Sequence, residues 1–185
     1  MTIPNTKHTT AFAIWLTGLP ASGKSTITRH LRSRLESEHG RIEVLESDEV
    51  RRWLTPEATY SEAERDLFYR SLAFTASKLV ANGIVVIIDA TAPKRHYREF
   101  ARSLIQNFLE VAVQCPLDIC QERDHKGTYR RGQSGQTSTV PGLQVPYEQP
   151  TNPDVIIDTT QVQASDGADL VMRAVTQRFH QFELP

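Results

Sequence analysis

Five short apolar runs, separated by stretches with a helical period, organise this chain of 185 residues. Ala11-Phe12-Ala13-Ile14-Trp15-Leu16 reads as a buried strand, and Ile27, Leu31 and Leu35 then recur at helical spacing until His39-Gly40. Ile42-Glu43-Val44-Leu45 forms a second strand closing on Glu46-Ser47-Asp48, and a helical region from about Glu49 is interrupted by Pro56. Ser61-x-x-Glu64 has the form of a capping box. The helix it opens is expected to reach Ala81, with Leu67, Leu72, Thr75 and Leu79 on its apolar face and Asn82-Gly83 as its stop. Ile84-Val85-Val86-Ile87-Ile88 is continuous enough to be buried on both faces of a parallel sheet. A helix from about His96 to Gln106, a strand from Leu109 to Val113 and a short helix behind Pro116 come next. The strand Val155-Ile156-Ile157 and a helix from about Asp166 to Phe182 complete the pattern. Strands alternating with helices predict a single α/β domain with a doubly wound parallel sheet.

Two segments lie outside this alternation. Residues 1–10 are polar and are expected to form a flexible leader to a domain over 11–185. Residues 124–150 are rich in Gly, Ser, Thr, Gln and Pro and lack either period. A segment this long within one domain is either functional or disordered, and a lid loop is expected there. There is no internal repeat.

Composition narrows the function classes. The net charge is −1, from 21 basic and 22 acidic residues, so no general excess of positive charge is available for nucleic acid. Cys115 and Cys120 are too few for a disulfide framework and lack further ligands at zinc spacing. No signal-peptide core and no run of about 20 apolar residues occurs, which predicts a cytoplasmic protein without a membrane partner.

The junction between the first strand and first helix carries the chemistry. Gly18-Leu19-Pro20-Ala21-Ser22-Gly23-Lys24-Ser25 fits G-x-x-x-x-G-K-[ST], the phosphate-binding P-loop. Its glycines let backbone N–H groups and the helix N-terminus face phosphate oxygens. Lys24 is placed for the β- and γ-phosphates and the Ser25 hydroxyl for Mg²⁺, so ATP and Mg²⁺ are the expected cofactors. Gly18 through Ser25, with the adjoining Thr26, are the nucleotide-binding candidates. No Asn-Lys-x-Asp segment for reading guanine is present.

Acids follow at neighbouring strand ends, where ligands of such sheets bind. Asp89 closes the third strand as a Walker B acid would, and with Ser25 and Asp48 makes the candidate metal set. Asp48 is a candidate to accept or position the proton of a substrate hydroxyl, and Lys24, Asp48 and Asp89 are the catalytic candidates. Arg51 and Arg65 on the following helices have the chemistry to grip an anionic substrate. Arg123, Lys126, Arg130 and Arg131 would make the lid cationic, able to exclude water and limit wasteful hydrolysis.

With these residues in order, residues 12–160 resemble the adenylylsulfate kinase family, P-loop enzymes that phosphorylate the ribose 3′-hydroxyl of adenosine 5′-phosphosulfate with MgATP. The resemblance rests on Ile14-Trp15-Leu16-Thr17-Gly18-Leu19, on Ser61-Glu62-Ala63-Glu64-Arg65, and on two more specific segments. Pro116 to Tyr129 is similar to the start of the family's lid, and Pro146-Tyr147-Glu148-x-Pro150-x-Asn152-Pro153-Asp154 to its end. The resemblance implies a P-loop kinase fold, Arg123 against the ATP adenine, and Asp48 as the second acid of the family's Asp-Gly-Asp segment. It further implies Arg51 and Arg65 on the sulfonucleotide, Tyr60 as one aromatic face, and a homodimer; Lys126, from the cationic segment, is the remaining substrate-binding candidate. Departures cluster on the acceptor side. Glu46-Ser47-Asp48-Glu49 replaces Asp-Gly-Asp-Asn, Phe68 replaces an asparagine, Ala90-Thr91-Ala92-Pro93 replaces Phe-Ile-Ser-Pro, and Val140 replaces a lid phenylalanine. An acceptor other than adenylylsulfate, either a different nucleotide or a small-metabolite hydroxyl, is therefore the alternative expectation.

Overall fold

The computed structural model describes residues 10–179. All but the last residue of the expected leader, and the end of the last helix near Phe182, lie outside the described residues. Five strands, β1 (Ala13–Thr17), β2 (Ile42–Glu46), β3 (Val85–Asp89), β4 (Phe108–Gln114) and β5 (Val155–Asp158), form one parallel sheet in the order β2-β3-β1-β4-β5. The helices are α1 (Lys24–His39), α2 (Ser47–Leu54), α3 (Glu62–Ala81), α4 (Arg95–Leu104), α5 (Leu117–Glu122), α6 (Thr128–Gln133) and α7 (Ala164–Phe179).

Alternation within the strands separates two cores. Ile14, Leu16 and Ile87 pack with Ile27, Leu31 and Leu35 of α1 and with Val171 and Val175 of α7. Ala13, Trp15, Val86 and Ile88 point the other way, onto α3 and α4. β1 and β3 are buried at every position, which explains why their sequences are apolar up to the last residue, Thr17 and Asp89, rather than alternating. Each fully buried aliphatic or aromatic side chain contributes about 1.5–3 kcal/mol relative to exposure. The polar edge of the buried Trp15 is satisfied, its indole donating to the Ala90 carbonyl at 3.1 Å.

Three readings of the sequence need correction. The buried face of α3 is Arg65, Phe68, Tyr69, Leu72, Ala73 and Ala76, while Leu67 is 67% exposed and Thr75 also faces outward. The small side chains of Ala73 and Ala76 take the core positions, and the larger Leu67 is left outside. Only half of the capping box forms: Ser61 Oγ accepts the Glu64 N–H at 3.3 Å, but the Glu64 carboxylate turns to Thr59 and Arg51. Finally, residues 124–150 are not an irregular loop throughout. They contain α6 and a bridge between Pro141 and Val145, and Tyr129 and Val140 close over Cys120 as a small core.

Candidate active site

The parallel register brings the site together. Asp89 lies opposite Leu16 on one side and Glu46 on the other, so the ends of β1, β2 and β3 form one edge. β1 ends at Thr17, and the chain turns at once through Gly18, whose φ is +155°. A Cβ added there would lie 2.3 Å from the Val113 carbonyl oxygen, so the loop passes too close to β4 for any side chain. Gly23, at φ 101°, leads into α1, whose first residue is Lys24.

Lys24 Nζ donates to the carbonyls of Gly18 and Leu19 at 3.0 and 2.8 Å. Burial lowers its pKa, opposed chiefly by the attraction of Asp89. The Asp89 carboxyl is itself 3% exposed, and its Oδ2 has no hydrogen-bond partner among the described residues. Burial pushes its pKa up, against the pull of Lys24 and of the Ser25 hydroxyl. Ser25 and Thr26 are exposed on the first turn of α1, toward the same cavity.

Glu46 ends β2, and Asp48 falls within the first turn of α2 rather than on the strand. Lys126 crosses from the far side and holds both, 2.7 Å from Asp48 Oδ2 and 3.3 Å from Glu46 Oε1. Its pKa is raised, first by the bond to Asp48.

The two arginines expected to meet substrate already have protein partners. Arg51 pairs with Glu64 at 3.0 Å, and its guanidinium lies 3.8 Å from the Phe68 ring centroid and 4.7 Å from that of Tyr60. Arg65 donates to the carbonyls of Tyr60 and Thr139, at 3.0 and 2.6 Å, so it ties α3 to the 124–150 segment. Tyr60 has φ 55°, an uncommon backbone for a tyrosine, and its ring is 39% exposed.

These residues surround one cavity of about 1050 Å³. The P-loop and the start of α1 form its floor; Asp48, Arg51, Tyr60 and Arg65 line one end, and residues 159–164 line the other. Arg123 stands near that second end, its guanidinium donating to Thr159 Oγ1 and the Thr159 carbonyl at 3.0 and 3.1 Å. Arg131 lines the cavity, whereas Arg130 is exposed and does not, so only part of the expected cationic surface faces inward. Val140 is buried in the small core above Cys120 and presents no flat face.

Sequence reasoning missed three participants. Thr159, just past β5, anchors Arg123 and has its methyl 3.3 Å from where a Gly23 Cβ would stand. Tyr69 lines the cavity between α3 and β3. Asp124 accepts the N–H groups of Thr128, Tyr129 and Arg130 and so builds the N-terminus of α6. Of these, only Asp124 carried a signal, an acid four residues before Thr128 next to a turn glycine.

Comparison with known proteins places this geometry. The sequence profile of the adenylylsulphate kinase family matches residues 10–158. A probable adenylyl-sulfate kinase of Archaeoglobus fulgidus is 41% identical over 149 residues, which span 80% of this chain and 96% of the relative. An adenylyl-sulfate kinase of Microcystis aeruginosa is 43% identical over 142 residues, 77% of this chain and 78% of the relative. Among solved structures, the APS kinase of Mycobacterium tuberculosis in complex with AMPPNP and APS superposes with a TM-score of 0.83 at 30% identity, covering 89% of this chain and 97% of that one. A cavity with a P-loop floor and an arginine-lined end thus sits on a fold and a sequence that agree, and the chain belongs to the adenylylsulphate kinase family.

Proposed function

We propose that this chain transfers the γ-phosphoryl group of ATP to the 3′-hydroxyl of adenosine 5′-phosphosulfate, giving 3′-phosphoadenosine 5′-phosphosulfate. The observation that carries the reading is the two-ended cavity. Its volume of about 1050 Å³ is at the top of the range for one small ligand, and suits two nucleotides meeting over the P-loop.

In this mechanism the loop from Gly18 through Ser25, with Thr26, takes the ATP phosphates on its backbone N–H groups (Pro20 has none to donate), and Arg123 and residues 159–164 flank the base. Lys24 leaves the two loop carbonyls it now bonds and pairs with the β- and γ-phosphates. At the other end, Arg51 and Arg65 meet the anionic sulfonucleotide and Tyr60 offers a ring face to its adenine. Asp48 orients the 3′-hydroxyl and accepts its proton, which requires Lys126 to release the carboxylate and turn to the substrates. Residues 124–150 act as the lid that keeps water from the γ-phosphate.

Mg²⁺ fits the residues present, because the buried Asp89 Oδ2 has no protein partner and shares the cavity rim with Ser25. Ser25 and Asp89, with Asp48, would hold the ion, which when bound neutralises charge on the β- and γ-phosphates.

Phe68 favours a second reading. The family's asparagine is replaced there by a ring, 1% exposed, that supports Arg51 and offers no hydrogen bond to an acceptor. A different nucleotide or a small-metabolite alcohol would then be phosphorylated at the same site. Measuring ADP release with adenosine 5′-phosphosulfate and a panel of other acceptors separates the readings. Turnover of another acceptor without turnover of the sulfonucleotide would overturn the first.

The proposal extends to a cytoplasmic homodimer with residues 11–185 as one domain. No helix of the described residues is long and apolar enough to cross a membrane. Light scattering behind size exclusion reads the assembly directly, and a monomer mass would remove the dimer.

A further inference from the structure

One arginine outside the cavity is better connected than any inside it. Arg98, on α4, is completely buried. Its Nε donates to Glu110 Oε1 on β4 at 2.7 Å, one terminal nitrogen donates to the Ala92 carbonyl, and the other donates to the Glu148 carbonyl at 2.7 Å. A single planar guanidinium therefore clamps two chain stretches of no regular structure, the five residues after β3 and the C-terminal end of the 124–150 segment.

Both segments are fixed a second time. The Glu148 N–H donates to the Pro93 carbonyl at 2.8 Å, and Glu148 Oε2 accepts the Arg95 N–H at 2.7 Å. The Tyr147 hydroxyl lies 3.0 Å from Thr17 Oγ1, which donates to the Thr91 carbonyl at 2.6 Å. Between these contacts Ala92 has φ 45°, in the left-handed region an alanine seldom occupies. Its N–H donates to the Tyr69 hydroxyl at 3.2 Å while Arg98 takes its carbonyl. An unfavourable backbone persists where its surroundings over-determine it, and such residues cluster at functional sites. Here the determined residues lead to the cavity, since Thr91 and Tyr69 both line it beside Arg51 and Arg65.

We propose that Arg98 is a positioning residue for the acceptor: by locking the segment after β3 to the C-terminal end of the 124–150 segment, it sets Thr91 and Tyr69 at the arginine-lined end of the cavity. This rests on the kinase reading for the identity of the acceptor, but the lock itself does not. The P-loop and residues 159–164 make no hydrogen bond to Arg98, so the effect falls on one end of the cavity.

Arg98→Lys is the informative variant, because an ammonium retains the charge pair with Glu110 but cannot span two carbonyls. Steady-state kinetics with adenosine 5′-phosphosulfate and ATP should show KM for the sulfonucleotide rising about tenfold, with KM for ATP within about twofold of the unsubstituted chain. Tyr147→Phe, which loses only the bond to Thr17, should move the same KM in the same direction by less. An unchanged KM for the sulfonucleotide in folded Arg98→Lys, or a parallel rise in both KM values, overturns the proposal. Should that variant fail to fold, Tyr147→Phe decides on the same criterion. Hydrogen exchange supplies the second readout: Arg98→Lys should speed exchange in residues 90–94 and 146–149 together, and unchanged exchange in either overturns the lock. An unsubstituted chain that turns over no sulfonucleotide refutes the kinase reading instead, and the exchange experiment then decides the lock alone.

Discussion

Lys24 stands between burial, which disfavours its charge, and Asp89, which favours it. Its bonds to Gly18 and Leu19 give way to stronger ones only when an anion enters the loop. Lys24→Ala should therefore cut phosphoryl transfer at least about a hundredfold while leaving the thermal midpoint within a few degrees. A coupled ADP assay alongside calorimetric melting checks both halves. Gly18→Ala should behave differently. With a carbonyl oxygen 2.3 Å from the new methyl, β1 and β4 must part, so ATP affinity and stability fall together. Asp89→Asn keeps the shape of the site and removes its charge; activity should become weakly dependent on Mg²⁺ concentration. A metal titration identical to that of the unsubstituted chain would contradict the assignment of Asp89.

Between elements, the contact of α3 with α4 has a pH dependence that follows from one bond. The Tyr97 hydroxyl donates to Asp66 at 2.7 Å, and this bond is the first cause holding the Asp66 carboxyl below its usual range. A carboxylate with a depressed folded-state pKa adds stability above the unfolded value of about 3.9 and loses it as pH falls through the folded value. Tyr97→Phe should accordingly cost about 1 kcal/mol near neutral pH, with the difference from the unsubstituted chain shrinking below about pH 4 in denaturant melts. The elements were unequally legible in the sequence. Continuous apolar runs marked β1 and β3 because both faces of those strands are covered, and Ser61 marked the start of α3 because a cap is a local device. The six residues of α6 left no trace in periodicity. That helix stands on one local and one tertiary contact: Asp124 takes its first N–H groups, and the Tyr129 hydroxyl donates to the Pro20 carbonyl of the P-loop at 3.0 Å. The pairing of Arg51 with Glu64 and of Arg65 with Thr139 was equally hidden, since it depends on how far α2 and the 124–150 segment fold back over α3.

Across the whole molecule, the sheet order brings three strand ends to one edge, and residues 124–150 lean over that edge on contacts to Pro20, Asp48 and Arg65. Two of those contacts are to groups proposed to meet the substrates, so occupancy of the cavity and the position of the segment are linked. Arg130 and Arg131 are exposed there, which makes trypsin a suitable probe. ATP with adenosine 5′-phosphosulfate should slow cleavage at these two sites, and unaltered cleavage at saturation would argue against a lid. The two tryptophans offer separate optical views of the interior and of the surface. Trp15 lies at the centre of the sheet with its indole bonded to Ala90, while Trp53, two residues beyond Arg51, is 83% exposed. Iodide in the buffer should quench the outer fluorophore and spare the inner one. The chain thus contains its own pair of dyes, one reporting melting of the interior and the other fraying of the exposed face of α2, without any label being attached.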